Sequence, residues 1–180
     1  MPLGRRSFLI GSLGVAGLNC FTRAGGAFAT PVAEAHTLSL YHIHTTETLQ
    51  VTYREHGDLI PEALAEIKHF LRDFRNEQTH DIDVALLDQL LELHTTLGSR
   101  GHFEVISGYR SPTTNAALRQ VTTGVAEHSL HIAGRAIDVR LTSAPTAALR
   151  DAAIALRRGG VGYYSESNFV HVDTGAFRTW

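Results

Sequence analysis

The sequence predicts an α+β fold in which a small, mostly antiparallel sheet carries the functional residues and helices flank the sheet. Residues 37–54 alternate between polar and apolar types, as strands do. The middle of the chain instead repeats its apolar residues at helical spacing. Two short strand-like segments close the chain at hairpin spacing, without the crossover that a parallel pair requires. This order favours helices packed beside a mostly antiparallel sheet.

The first two strands are predicted over residues 37–44 and 49–54, with a turn at 45–48 between them. Pro61 begins the first helix, at a position where its missing N–H group leaves no hydrogen bond unmade. The apolar face of this helix is formed by Ile60, Leu64, Ile67, Leu71 and Phe74.

A second helix follows Asp83 and ends at Gly98, a residue type that is frequent at helix C-termini. His94 falls on the apolar side of this helix, so we interpret it as a core residue rather than as a metal ligand. The apolar side itself is formed by Leu87, Leu90, Leu91 and Leu97.

A third group of elements follows in the second half of the chain. Ser143 is expected to cap a helix that ends at Gly159 and Gly160. The remaining elements are predicted as strands at 103–107, 136–141, 161–164 and 169–173, a helix from Pro112 to about Gln120, and a loop at 121–128.

The N-terminal 29 residues have the three parts of a secretory signal. Arg5-Arg6 precedes an apolar, glycine-rich stretch, and the small residues of Ala27-Phe28-Ala29 predict cleavage before Thr30. Paired arginines before Ser-Phe-Leu are typical of twin-arginine export. The apolar stretch is too short to span a bilayer stably, and an uncleaved N-terminal anchor is the alternative. We therefore expect an exported, periplasmic protein without stable membrane insertion after cleavage.

Residues 30–180 are expected to form a single domain with its own core. They contain no cysteine, so a metal there must be bound by His, Asp or Glu. Removing the signal's three arginines leaves thirteen Lys and Arg against eighteen Asp and Glu, a net charge of −5. This charge argues against nucleic acid as a partner, because phosphate neutralisation dominates such binding. The eleven histidines direct attention to metal chemistry.

Two segments carry residue types that bind catalytic zinc, which takes three protein ligands and keeps one position open. His131 and Asp138 offer two ligands, with Gly134 between them to let the chain turn back. His171 lies in a later strand, on the same face as Asp173. The spacing alone also fits a structural histidine on a half-buried strand, so both interpretations stay open at this point.

Several separated motifs occur in a specific order along the chain. They are Ser107-Gly-Tyr-Arg-Ser111, Ser129-x-His131-x-x-Gly134-x-Ala136-x-Asp138, Gly159-Gly-Val-Gly-Tyr-Tyr164 and Asn168-Phe-Val-His-Val-Asp-Thr-Gly175. Together they resemble the D-Ala-D-Ala peptidase branch of the LAS zinc peptidases, whose fold is related to that of hedgehog. In detail the chain is similar to the MepK-type murein endopeptidases, over essentially all of the predicted domain.

The resemblance implies that His131, Asp138 and His171 bind Zn²⁺. It places Arg110 beside the metal as a catalytic residue, where a guanidinium can hold a carboxylate or a developing oxyanion. It also implies that Ser129 supports the metal-binding loop through a hydrogen bond.

The sequence departs from the carboxypeptidase members of this superfamily at one position. Those enzymes use a glutamate three residues before the last zinc histidine as general base, and Asn168 stands there instead. The base is therefore open among Asp173, Glu166 and His128, in that order, and Asp173 joins Arg110 as a predicted catalytic residue.

The resemblance implies a zinc-dependent murein endopeptidase that hydrolyses amide bonds in cross-linked stem peptides. Peptidoglycan stem peptides are thus the expected partner, while the sequence does not indicate the oligomeric state. Two alternatives stay open. One is a D,D-carboxypeptidase, and the other is a non-catalytic zinc-containing module that binds the cell wall. Asn168 favours the second. The resemblance also places His42 and His44 of the first hairpin near the site.

Overall fold

The computed structural model describes residues 35–122 and 125–180. The predicted signal at 1–29, the cleavage point before Thr30 and part of the predicted loop at 121–128 lie outside the described residues. None of the helices within these two ranges is long and apolar enough to cross a membrane. The elements are β1 (His36–His42), β2 (Thr48–Glu55), β3 (Asp58–Leu59), α1 (Pro61–Phe70), α2 (Val84–Thr96), β4 (Phe103–Ser107), α3 (Pro112–Val121), β5 (Ala136–Leu141), α4 (Thr146–Leu156), β6 (Gly160–Tyr164), β7 (Phe169–Asp173) and β8 (Arg178–Thr179).

All the described strands belong to one sheet, in the order β3-β2-β1-β4-β5-β7-β6-β8. Helices beside a sheet confirm the predicted α+β class. The sheet is not the small, mostly antiparallel one expected but a mixed sheet of eight strands, in which β1–β4 and β6–β8 pair in parallel. β1 can pair in parallel with β4 because α1 and α2 lie between them in the chain. β3 and β8 have two residues each, too few to show an alternating pattern.

The core lies between one face of the sheet and the helices α1, α2 and α4. Ile137 of β5 pairs with Val172 of β7, and both belong to this core. The adjacent pair, Asp138 with His171, points to the opposite face because successive side chains of a strand alternate. The polar residues of these two strands therefore lie on the face of the sheet that the core does not use.

The strands β5 and β7 have the predicted bounds, whereas the predicted bounds of α4 are wrong at both ends. α4 begins after Pro145 without a side-chain cap, and the predicted cap Ser143 hydrogen-bonds to Ser99 instead. The helix ends at Leu156, before the predicted glycines. Gly159 serves a close approach to β7, since a Cβ there would lie 1.7 Å from a β7 carbonyl oxygen.

His42 is buried at the end of β1 against Phe70 and Phe74, with ring centroids 6.0 and 5.5 Å away. Its Nδ1 accepts a hydrogen bond from the His44 backbone N–H at 3.2 Å, and its Nε2 has no partner among the described residues. Burial, followed by the charge of His44, lowers the pKa of His42 from 6.5 to about 4. His42 is therefore a neutral core residue at neutral pH.

We expect His42 to make the stability of the fold depend on pH between 6.5 and about 4. Its folded-state pKa lies below its unfolded value, so the unfolded chain binds more protons in this window. The free energy of unfolding should therefore fall as pH falls, by up to about 3 kcal/mol. Urea unfolding of His42→Phe across the window should lack this component. The matched control is His69→Phe at an exposed position of α1. If the free energy of unfolding of the His42 variant depends on pH as that of the wild type does, the dependence belongs to another group.

Candidate metal centre

Three elements supply the predicted metal ligands. β5 and β7 are antiparallel neighbours in which Asp138 faces His171, so the two side chains lie side by side. His131 comes from the turn before β5. In this turn Gly134 has a φ of 64°, and a Cβ there would lie 2.0 Å from the Asp81 carbonyl oxygen. Only glycine fits this position, and the turn it allows brings His131 back toward the sheet.

The ligand atoms of the three residues lie within 4.8 Å of one another. His171 Nδ1 is 2.8 Å from Asp138 Oδ1. His131 Nε2 is 3.2 Å from His171 Nδ1 and 3.4 Å from Asp138 Oδ1. All three side chains are buried, and all three line one cleft. Two imidazole nitrogens and a carboxylate oxygen are a donor set that suits catalytic zinc, and the cleft leaves a further position accessible.

Hydrogen bonds fix the remaining ring nitrogen of each histidine. His131 Nδ1 lies 2.7 Å from the Gly108 carbonyl oxygen, which can only accept, so Nδ1 carries the proton and Nε2 offers a lone pair. His171 Nε2 lies 3.0 Å from Asp173 Oδ2, and the same reasoning leaves His171 Nδ1 as the ligand atom. Histidines that bind metals are oriented in this way, so the residues present fit a metal centre.

Asp173, the first candidate base, is fully buried and has both oxygens occupied. Its Oδ1 accepts from the backbone N–H groups of Gly160 and Gly175, each at 2.8 Å. Its Oδ2 accepts from Arg178 Nη2 at 2.7 Å and from His171 Nε2. Burial by itself raises the pKa of Asp173, but the hydrogen bonds from His171, Arg178 and the backbone hold it well below its usual range. This carboxylate supports His171 and does not line the cleft.

The charges of the cluster favour a cation. Burial alone raises the pKa of Asp138, but the charge and hydrogen bonds of His131 and His171 hold it well below its usual range. Burial alone lowers the pKa of His171, whereas its hydrogen bonds to Asp138 and Asp173 raise it to about 8. These carboxylates therefore attract positive charge to the imidazoles, and a divalent cation supplies that charge when it displaces protons.

Arg110 lies beside the ligands. Its side chain is 12% exposed, and its Nη2 is 3.7 Å from Asp138 Oδ2. Its contacts with Asn115 Oδ1 and Ser107 Oγ are both long, at 3.5 Å, and its buried Nε has no partner among the described residues. Burial lowers the pKa of Arg110, Asp138 opposes that shift, and the charge of Arg75 adds to it. A buried guanidinium with unfilled donors can bind an anion in the cleft.

The ligands open into a cleft of about 350 Å³ with an aromatic wall. The Trp180 ring lies 5.2 Å from the His171 ring, and its Nε1 donates to the Tyr164 hydroxyl at 3.0 Å. Tyr164 in turn stacks on Phe169 at 4.5 Å. Gly162 lies under the indole, where a Cβ would come within 2.6 Å of the Trp180 ring. This wall shapes the space directly above His171.

The other candidates for the general base lie in different places. His128 lines the cleft at an exposed position. Glu166 is exposed in the turn between β6 and β7 and does not line the cleft. Asn168 accepts a hydrogen bond from Thr146 Oγ1 at 2.8 Å and lines a separate depression at the start of α4.

Of the remaining residues singled out in the sequence, some line the cleft and others lie away from it. His44 and Ser129 line the cleft, whereas His42 does not. The Ser129 hydroxyl makes no hydrogen bond within the ranges that the structure describes, and the Ser129 carbonyl accepts from the Ile132 N–H instead. His94 is half-buried and donates from Nε2 to the Gly101 carbonyl at 2.9 Å, away from the cleft.

Among the charged and aromatic residues that line the cleft, sequence reasoning missed Arg75, Arg178 and Trp180. Arg178 and Trp180 follow His171 within ten residues, and this short separation in the sequence could have indicated that they lie near the site. Arg75 lies in the loop after α1, far from the other motifs, and only the folded chain shows where that loop lies.

Comparison with known proteins confirms the resemblance seen in the sequence. The family model described as peptidoglycan L,D-endopeptidase MepK matches residues 30–180. The chain is 39% identical over 176 residues to the peptidoglycan L,D-endopeptidase MepK of Escherichia coli (strain K12), which covers 98% of this chain and 96% of that protein. It is 42% identical over 144 residues to the probable peptidoglycan L,D-endopeptidase MepK of Haemophilus influenzae. This alignment covers 79% of this chain and 77% of that protein.

We expect Asp173→Asn to weaken Zn²⁺ binding by about 10- to 100-fold, because a neutral amide orients His171 less firmly. Trp180 is the chain's only tryptophan and its ring lies 5.2 Å from that of His171, so its fluorescence reports a Zn²⁺ titration. Asp151→Asn, at an exposed position of α4, is the matched control. Equal Zn²⁺ affinity in the wild type and Asp173→Asn would contradict a supporting role for this carboxylate.

Proposed function

Because the chain belongs to the MepK family of peptidoglycan L,D-endopeptidases, we propose that it is a zinc peptidase that cuts cross-linked stem peptides of peptidoglycan. The observation that carries this proposal is the convergence of His131, Asp138 and His171 in one cleft of a chain that matches the family over residues 30–180. The names of the relatives give the bond as one between an L- and a D-centre, and we propose the same bond here.

The chemistry of the donor set supports zinc as the metal. His131 would hold it through Nε2, His171 through Nδ1 and Asp138 through Oδ1. When bound, the cation supplies Lewis-acid polarisation of the scissile carbonyl and makes a water more acidic. The chain contributes the orientation of the three ligands and a cleft that admits the peptide.

Arg110 stabilises the negative charge that develops on the carbonyl oxygen during attack. Its Nη2 is 3.7 Å from Asp138 Oδ2, so its donors border the residues that would hold the metal. Its burial lowers the local dielectric constant, which strengthens its interaction with a developing anion.

Proton transfer belongs to His128 in this proposal, and Asp173 acts through His171. The amide of Asn168 cannot take a proton, and both oxygens of Asp173 are filled by other donors. His128 lines the cleft, and an imidazole can take a proton from the attacking water and return it to the leaving amine.

Export by the twin-arginine route to the periplasm completes the proposal. The composition of residues 1–29 supports it, as does a family match that begins at residue 30, where the predicted signal ends. A substrate in the cell wall requires that location.

The test is digestion of purified, cross-linked murein by residues 30–180, with and without a chelator, followed by mass analysis of the products. We expect dimers to be converted to monomers, this conversion to be lost with the chelator, and Zn²⁺ to restore it. Release of terminal D-Ala with the dimers intact would instead identify a D,D-carboxypeptidase. No cleavage by protein that carries stoichiometric zinc would identify a binding module.

His171→Ala and Arg110→Ala should separate metal binding from turnover. His171→Ala removes one of three ligands and should lose both metal and activity. Arg110→Ala should keep the metal and lose about 10²-fold in turnover, as expected when one donor to the transition state is removed. Metal content and murein digestion measure the two effects, with His69→Ala at an exposed position as control. Full metal content and activity in His171→Ala would refute the assignment of the site.

His128→Gln should lower kcat by at least about 10²-fold, the usual loss when a general acid or base is removed. Metal content should be unchanged, because His128 is not a ligand in this assignment. Glu166→Gln, in the turn outside the cleft, should behave like the wild type. Unchanged turnover in His128→Gln together with a loss in Glu166→Gln would transfer the role to Glu166.

A further inference from the structure

Two arginines that approach the cleft from different segments have unused donors. Arg75 is exposed in the loop after α1, and its guanidinium makes no ion pair or hydrogen bond with the residues in 35–122 and 125–180. Arg110 makes only long contacts, and its buried Nε has no partner in the same ranges. Both guanidinium groups are therefore able to bind a ligand in the cleft.

Stacking defines the position of the Arg75 guanidinium. Its Cζ lies 4.1 Å from the centre of the Phe74 ring. The Phe74 ring stacks on His44 at 4.2 Å with an interplanar angle of 14°. His44 and Arg75 both line the cleft, so this stack of three planar groups fixes one side of it. A guanidinium held on an aromatic face loses less conformational entropy when it binds a ligand.

The buried carboxylate of Asp73 joins the segments that carry the two arginines. Its Oδ1 accepts from the Arg75 backbone N–H at 3.2 Å, and its Oδ2 accepts from the Ser111 backbone N–H at 2.9 Å. Asn76 Nδ2 adds a second link, since it donates to Ser111 Oγ at 2.8 Å. Ser111 follows Arg110 directly, so the backbones next to the two arginines are held at a fixed separation.

The charges that line the cleft are unbalanced toward positive. Among the described residues of the lining, Asp138 is the one carboxylate side chain, and the lining also contains three arginines. Asp138 is already engaged by His131 and His171, and Arg178 is neutralised by Asp173 outside the lining. Arg75 thus has no anion among the described residues, and Arg110 shares Asp138, 3.7 Å away, with the two histidines. A carboxylate matches the planar donor geometry of the two guanidinium groups better than any neutral group.

We propose that Arg75 and Arg110 together form a subsite for a carboxylate of the substrate peptide, next to the metal centre. The inference rests on the proposed function and deepens it. It makes Arg75 a specificity-determining residue that selects peptides with a free carboxylate near the scissile bond. Peptides in which this carboxylate is amidated are poor substrates, because an amide lacks the charge that the guanidinium groups bind and leaves Arg75 without an anion.

The experiment compares two cross-linked muropeptide dimers that differ only in whether the free carboxylate beside the cross-link is left as the acid or amidated. For the wild type, amidation should lower kcat/KM by about 10- to 100-fold, the range for one hydrogen bond to a charged group. Arg75→Gln should lose a similar factor with the free-acid dimer and discriminate little between the two dimers. Arg75→Lys, which keeps the charge without the planar fork, should fall between them. Arg100→Gln, exposed and outside the cleft, is the matched control.

Equal losses on both dimers in Arg75→Gln, or no loss on either, would overturn the subsite. Dissociation constants of both dimers are measured as well, for the chelator-treated full chain, in which no cleavage competes. If the wild type binds the free-acid dimer more tightly than the amidated dimer and Arg75→Gln does not, the subsite is supported, even if neither dimer is cut. An absence of that preference overturns it. Failure to cut either dimer with zinc present would count against the proposed function alone.

Discussion

The register of β5 against β7 is the constraint on which the whole site depends. It sets Asp138 beside His171 and Ala136 opposite Asp173. A one-residue shift of β7 would turn His171 toward the core and bring a valine to the position beside Asp138. The register is held from the other face, where Ile137 packs against Val172. The apolar core therefore specifies the geometry of the candidate metal centre, although none of its described residues lines the cleft.

Charge alternates through the buried part of the site. It runs from the guanidinium of Arg110 through Asp138, His171 and Asp173 to Arg178, with contacts of 2.7 to 3.7 Å. Each member neutralises its neighbours, which is the condition for keeping ionised groups away from water. Removing one member leaves another charge uncompensated, so the stability of the fold and the proposed metal binding depend on the same network. A carboxylate that never touches substrate can for this reason be as necessary as a ligand.

Much of the fold was predictable from the sequence because its signals are local. The alternation over 136–141 and 169–173, Pro61 at a helix start and Asp83 before a helix all have short-range physical causes. The parallel pairings were not predictable, because they depend on how helices return the chain to the sheet. Asp173 shows the same limit within the site. Its place on the face of His171 follows from the alternation, but the donors that fill its oxygens come from Gly160, Gly175 and Arg178.

The two sides of the cleft rest on strands of unequal local stability. Asp138 and His171 lie on β5 and β7 in the interior of the sheet, whereas Trp180 follows the two-residue edge strand β8. The Trp180 backbone is held there by two hydrogen bonds, from Tyr163 N–H to the Trp180 carbonyl at 3.0 Å and from Trp180 N–H to the Val161 carbonyl at 3.2 Å, and its indole donates to the Tyr164 hydroxyl. Short edge elements open at lower free energy than the interior of a sheet. Opening of β8 would therefore move Trp180 away while Tyr164, Phe169, Asp138 and His171 keep their places, which would widen the cleft for a departing peptide.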